Sequence, residues 1–375
     1  MIPEIFTRYK QNSSTISAQI TTNTTTVPPS SLSSMATRPK LILQPTIGSG
    51  GKLVVIKAFN KLFSRTLTFE NCEFFNCVFQ YSSQLSDIAK ADVVLQGFWS
   101  PLDLTTVQGL DRSNQAWIVY SHEPAGLTRA RWKAKLNDYN ATMTYTRDAA
   151  VYFPWGETLS RKGNTSIQTE MDYAENKTQG AYAYVSNCQG TAYERLPFMK
   201  SLANYINVEI FGGCTNNRPC LKGDSECEAV LHHPYRFYLA FENSLCKDYI
   251  SEKFWKTLHS DGHFVPVVVG GLSVEDYTRV APPDSFIHAY NFSSIKELGE
   301  YLQHLMKDDA AYNRYHEWRK HYTTSFMEMP QTSRCELCRI ANQPKESLKS
   351  VQHRQFADEF NNRTNCRKLP FPIGA

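Results

Sequence analysis

No window of about 18 or more uninterrupted apolar residues occurs in the 375-residue chain, so it contains no helix of membrane-spanning composition. The start, MIPEIFTRYKQ, has neither a long apolar run nor a small-residue cleavage site, and no signal peptide is read there. Charge of one sign is also scarce. Forty Lys and Arg against 36 Asp and Glu leave a formal net charge of +4, and no basic run concentrates it. That surplus suits attraction to anionic ligands but falls short of a nucleic-acid footprint, so no DNA or RNA partner is expected. No internal repeat is evident.

What the chain does have points to a large, disulfide-bearing α/β protein. Its length exceeds what one compact domain needs, so two domains are expected. Hydrophobic content of 41% and aromatic content of 13% support a substantial core. There are ten cysteines, an even number. Seven N-x-S/T sequons occur, at Asn12, Asn23, Asn140, Asn164, Asn176, Asn291 and Asn362. Together they suit an oxidising, glycosylating lumen. Residues 11–39, rich in Ser, Thr and Pro, bury too little apolar surface to offset their ordering entropy. A flexible stem over residues 1–45 is therefore expected.

From about Pro45, strand and helix patterns alternate. LVVIKAF (53–59), DVVLQGF (92–98), WIVYSH (117–122), MTYTR (143–147) and AVYFPWG (150–156) read as strands. A polar insert, 157–179, reads as a linker. Beyond it come strands YAYVSN (182–187) and VEIFGG (208–213), with helices over 191–204, 294–307 and 309–321. Short apolar strands alternating with helices predict parallel, doubly wound sheets. The most informative stretch runs from Tyr235 to Phe292. A buried strand ends on Glu242-Asn243-Ser244, an amphipathic helix opens on Asp248-Tyr249-Ile250-Ser251-Glu252-Lys253, and a second strand, Val265 to Val269, closes on Gly270-Gly271. Ligands of open α/β sheets sit off the carboxyl ends of strands, where helix N-termini meet anions, so this reads as half of a nucleotide site.

AFENS, DYISEK and VPVVVGG, in that order and spacing, resemble the donor-binding signature of the α1,3-fucosyltransferases. The resemblance runs from about Lys52 to about Tyr322. It implies a GT-B fold, two Rossmann-like domains facing a central cleft. Residues 46–175 would be the acceptor-binding domain, 180–325 the GDP-fucose-binding domain and 326–375 a cysteine-containing extension. The implied activity is transfer of L-fucose from GDP-fucose, with inversion, in α1,3 linkage to GlcNAc of a glycan on a glycoprotein or glycolipid. The implied location is the Golgi lumen, as a type II membrane enzyme. The anchor of such enzymes is not visible here, so a truncated or alternatively started form, or another means of targeting, is expected.

The candidate base is Glu123 in WIVYSHEPAG, just past a strand end, on the position of the family's Glu-Ser-Pro glutamate. Pro124 follows at once, without the intervening Ser, so His122 competes for the role. Arg195, near a helix start, and Lys253 are the candidate phosphate ligands. Glu242, Asn243, Ser244, Tyr249 and Glu252 suit guanosine, ribose or fucose, while Arg147 matches a first-domain Arg that touches donor or acceptor. Tyr238 reads as packing. There is no DxD pair, and no cofactor is expected to be required, with a divalent cation at most stimulatory. CELC (335–338) lacks the second pair a structural zinc needs, and a disulfide involving Cys335, Cys338 or Cys366 is expected. Two rival readings remain open: a transferase using another sugar nucleotide, and a glycan-binding homologue without catalysis, which HEP in place of ESP favours. Which GlcNAc is used, in a glycan core, LacNAc or LacdiNAc, is not encoded in any motif.

Overall fold

The computed structural model describes residues 51–57, 69, 71–98, 109–124, 139–161, 171–188, 195–221, 224–343 and 366. The expected stem and the sequons at Asn12, Asn23, Asn164 and Asn362 lie outside them.

Strands β1 (Lys52–Lys57), β2 (Cys77–Tyr81), β3 (Val93–Gly97), β4 (Ala116–Ser121), β5 (Ala141–Thr144) and β6 (Val151–Tyr152) form one sheet, ordered β2-β1-β3-β4-β5-β6. Every pairing in it is parallel. Strands β3 and β4 are buried at every position. A parallel sheet covered on both faces demands continuous apolar runs, which is why these strands are legible in the sequence. The chain continues through β7 (Gly156–Ser160) into a second sheet. Its strands are β8 (Gln179–Tyr184), β9 (Val208–Phe211), β10 (Tyr235–Phe241), β11 (Val265–Val269) and β12 (Ile287–His288), ordered β12-β11-β10-β8-β9 and again wholly parallel. The expected α/β class with two parallel sheets is present.

Helix α1 is Arg195–Leu202 and α2 is Glu252–His259. Helix α3 is Ile295–Leu305 and α4 is Gln331–Asn342. The expected opening of α2 at Asp248 is corrected by four residues. Asp248 has φ +60°, and the helix starts only after Ser251, whose hydroxyl accepts from the Lys253 amide at 3.3 Å. Phe254, Trp255 and Leu258 of α2 pack on Ala240 of β10 and Val268 of β11. Each such fully buried side chain contributes about 1.5–3 kcal/mol, which anchors the helix start at the strand ends.

Three segments differ from the sequence reading. AVYFPWG is not one strand: β6 ends at Tyr152, Pro154 has no N–H to give a ladder, and a new strand, β7, begins at Gly156. Nor is 157–179 wholly a linker. Strand β7 pairs antiparallel with β13 (Tyr322–Phe326), joining segments more than 160 residues apart. Gly156 makes this approach possible, since a Cβ there would lie 2.5 Å from the Ser325 carbonyl oxygen and 2.7 Å from the Trp255 ring. The expected helix over 309–321 is likewise broken into Asp309–Arg314 and a 3-10 turn at Glu317–Lys320.

The cysteines staple the chain ends to these sheets. Helix α4 carries CELC, and its Leu337, Cys338, Ile340 and Ala341 share one core with Val54, Val93, Leu95 and Ile118 of the first sheet. Cys72–Cys335 and Cys77–Cys338 fasten it there. They close loops spanning 263 and 261 residues. The first closure contributes about 5 kcal/mol and the second less, because the ends are already together. Cys188–Cys214, Cys220–Cys227 and Cys246–Cys366 complete the set. The expected disulfides at Cys335, Cys338 and Cys366 are all present.

Candidate functional site

Strand β10 delivers Glu242 to its carboxyl end, where the residue is fully buried. Its amide donates to Val269 O at 2.9 Å, continuing the ladder. Oε1 accepts the Ser251 amide at 2.7 Å, while Oε2 has no hydrogen-bond donor among the described residues and lies 3.8 Å from Lys253 Nζ. Lys253 Nζ is held instead by Glu252 Oε1 at 2.7 Å and by Ser251 Oγ at 3.2 Å. One ammonium thus serves two carboxylates. Burial pushes Glu242 up to about 7, against the pull of Lys253. Burial also opposes the charge on Glu252, but the Lys253 ammonium outweighs it and holds Glu252 below its usual range. Lys253 is raised, its two carboxylates outweighing burial.

Arg195, 4% exposed at the start of α1, donates to Phe241 O at 3.3 Å and to Asn187 O at 3.0 Å. Its Nε is buried without a partner among the described residues. Its charge acts on both Lys253 and Tyr238, so the two candidate phosphate ligands belong to one cluster. Tyr238, read as packing, does meet the Tyr182 ring at 5.0 Å, yet it also lies in the field of Glu252, Glu242 and Arg195.

Glu123 approaches this cluster from the other sheet. It follows β4, and its amide donates to Ser121 Oγ at 3.1 Å. Its carboxyl is raised by burial first, then by repulsion from Glu252, with Lys253 partly offsetting both. The carboxyl ends of β4 and β10 therefore converge. His122 is placed differently. Its ring lies tilted against Phe153 (4.1 Å) and stacked on Trp155 (4.5 Å), its Nε2 is buried without a partner among the described residues, and burial lowers it to about 4. An imidazole so depressed and so enclosed is a poor proton acceptor.

The loop from Asn243 to Ser251 carries the remaining candidates. Asn243 is half-buried with Oδ1 unpartnered; Ser244 and Tyr249 are buried. Tyr249 packs edge-on to Tyr145 of the first sheet's lobe at 4.9 Å and beside Cys246. Arg147 does not join the Lys253 cluster. Its amide donates to Asp248 Oδ2 at 3.2 Å and its Nε lies 3.7 Å from Asp248 Oδ1, so it ties the first lobe to this loop. Sequence reasoning gave no role to Ser251, Asp248 or Trp155. Ser251 was discoverable as an N-cap before Glu-Lys; nothing local in the sequence marks Trp155 as the wall against His122. Of the described sequons, Asn176 and Asn291 are exposed, whereas Asn140 is half-buried with Oδ1 accepting the Trp117 amide at 2.7 Å.

Two parallel sheets whose strand ends bring a carboxylate from one toward a buried Arg–Lys–Glu cluster on the other define an α/β protein with a charged site off its strand ends. Two family models match the chain: "Fucosyltransferase, N-terminal" over residues 51–156 and "Glycosyltransferase family 10 (fucosyltransferase) C-term" over residues 174–356. The chain belongs to glycosyltransferase family 10. It is 35% identical over 224 residues to Alpha-(1,3)-fucosyltransferase fut-1 of Caenorhabditis elegans, covering 56% of this chain and 50% of that protein. It is 33% identical over 248 residues to Alpha-(1,3)-fucosyltransferase C of Drosophila melanogaster, covering 62% and 56%. Human 4-galactosyl-N-acetylglucosaminide 3-alpha-L-fucosyltransferase FUT6 is 35% identical over 218 residues, 56% and 55%. The chain thus spans about half the length of the curated relatives it matches. A crystal structure of an alpha1,3-fucosyltransferase aligns with 88% of this chain and 96% of its own at 13% identity and a TM-score of 0.46, too distant to support any further statement.

Proposed function

We propose that this chain is an inverting glycosyltransferase that moves L-fucose from GDP-β-L-fucose to a GlcNAc residue of a glycan in α1,3 linkage. The observation that carries the reading is the buried Glu242–Lys253–Glu252 cluster at the carboxyl end of β10, in whose electrostatic field Glu123 of the other sheet lies. Glu123 takes the proton of the acceptor hydroxyl as that oxygen attacks the anomeric carbon. Its raised pKa makes it a stronger base than an exposed carboxylate. The bond from the anomeric carbon to the β-phosphate oxygen breaks, and GDP departs with the electron pair. Arg195 and Lys253 meet the diphosphate charge by charge-assisted hydrogen bonds. Glu252, half-buried beside them, accepts from fucose or ribose hydroxyls. With two cations placed for the leaving group, the reading requires no cofactor, and a divalent cation is at most stimulatory.

Five disulfides and the exposed sequons Asn176 and Asn291 support maturation in a Golgi-type lumen. Among the described residues no helix is long and apolar enough to cross a membrane. The test is incubation with GDP-fucose and a panel of GlcNAc-terminated, LacNAc, LacdiNAc and N-glycan-core acceptors, read by product linkage analysis. Fucose in α1,3 linkage to GlcNAc is expected. Transfer only from another sugar nucleotide, or acceptor binding without transfer from any donor, would overturn the reading in favour of one of its two rivals.

A further inference from the structure

Glu242 is unusual among the acidic residues of the site because it has no exposed surface and one oxygen without a donor among the described residues. Oε1 is satisfied by the Ser251 amide, the N-cap residue of α2, and Oε2 faces Lys253 Nζ at 3.8 Å, beyond hydrogen-bond reach. The carboxyl turns inward to the helix start and therefore acts through Ser251 and Lys253. Lys253 in turn divides its charge between Glu242 and the nearer Glu252.

Resting on the reading that a diphosphate binds at Arg195 and Lys253, we infer that Glu242 is a positioning residue that takes up a proton when the donor binds, freeing the Lys253 ammonium for the phosphate. The balance is simple: a proton from solvent goes to Glu242 Oε2, one negative charge leaves the cluster, and the donor's negative charge replaces it. The physical reason is that a buried carboxylate, a second carboxylate and a diphosphate cannot all be anionic around one ammonium.

The groups facing Glu242 leave it as the natural proton site. Lys253 and Glu252, from α2, are both driven further toward their charged forms. Burial holds Tyr238 of β10 and Tyr249 of the loop in the phenol form. Tyr277, from the Val274–Thr278 helix, lies beside it across Gly270, where an added Cβ would meet both the Tyr277 hydroxyl and Glu242 Cγ. Arg195 reaches the cluster through Lys253. Glu242 alone among these carboxylates is pushed by burial up to about 7, and added negative charge raises it further. Donor affinity is therefore highest below that value and falls as pH rises through it, levelling off once Glu242 is ionised in both states.

The experiment is calorimetric titration of the full chain with GDP-fucose, without acceptor, from pH 5.5 to 9 in pairs of buffers that differ in ionisation enthalpy. GDP-fucose is the right probe because its diphosphate is esterified at both ends and does not titrate in this range. A donor-induced rise of one pKa unit predicts uptake of about 0.4 proton at pH 7 and a roughly tenfold loss of affinity from pH 6 to pH 9. Glu242→Gln should bind with the wild type's low-pH affinity at every pH and take up no proton. Wild-type binding without proton uptake overturns the inference while leaving the donor reading intact, as does unchanged uptake in Glu242→Gln. No GDP-fucose binding at any pH overturns the donor reading and this inference together. Should Glu242→Gln fail to fold, absence of proton uptake by the wild type still overturns the inference.

Discussion

Lys253→Met would separate the electrostatics of the cluster from its packing. Met keeps most of the aliphatic stem, so the contacts of α2 with β10 and β11 survive and only the ammonium is lost. In the native chain that ammonium is 12% exposed and lies between a carboxylate with no exposure, Glu242, and one with 37% exposure, Glu252. Removing one partner of a buried ion pair costs about 3–5 kcal/mol. Glu252 re-solvates, and an exposed ion contributes about 0–1 kcal/mol, so the loss falls mainly on Glu242. Glu242 escapes the larger cost by staying protonated, so the loss at pH 8, one unit above its native value of about 7, is about 1.4 kcal/mol, or roughly 3 °C in melting temperature for a chain of this size. The sign with pH follows from the carboxylates. Without Lys253, the folded-state pKa of Glu242 rises beyond its already raised value of about 7, whereas in the unfolded chain it returns to an ordinary carboxylate value. The penalty is thus nearly absent at pH 5, where Glu242 is protonated in both variant and wild type, and grows as pH rises through the wild-type folded value of about 7, above which only the wild type carries the charge at little cost. Melting curves by calorimetry at pH 5 and pH 8 check this. An equal loss at both pH values, or none at pH 8, would show that Lys253 does not neutralise Glu242.

Two further predictions concern the base and the staples. Glu123→Gln should lower fucose transfer about 10²-fold or more with little change in GDP affinity, whereas His122→Ala should act through lost packing against Phe153 and Trp155 and reduce melting temperature before turnover; near-native turnover in Glu123→Gln beside a folded but inactive His122→Ala would transfer the role to the imidazole. Peptide mapping of secreted protein without reductant should recover Cys72–Cys335, Cys77–Cys338, Cys188–Cys214, Cys220–Cys227 and Cys246–Cys366, and finding all ten as free thiols would contradict both this pairing and a lumenal site of folding.

The sequence by itself determined the parallel strands and the donor-signature segment. Strands such as β4 and β11 are buried on both faces, and that burial writes an uninterrupted apolar run into the chain. The polar stop at Glu242-Asn243-Ser244 and the helix that follows are local features too, so their order could be read directly. What the sequence could not determine was anything that depends on residues far apart in the chain. Strand β7 looked like a linker because Glu157, Thr158 and Ser160 carry no apolar run; it becomes a strand only when Tyr322–Phe326 arrives to satisfy its amides. Helix α4 looked like an extension, and its place in the first sheet's core depends on Cys72 and Cys77, more than 250 residues earlier. The contest between His122 and Glu123 was undecidable from adjacent positions in one loop. Tertiary structure gives them different surroundings, placing the ring against Phe153 and Trp155 and the neighbouring carboxylate in the field of Lys253. Proton affinity is set by the surroundings of a side chain, and those surroundings are assembled only when the two sheets meet.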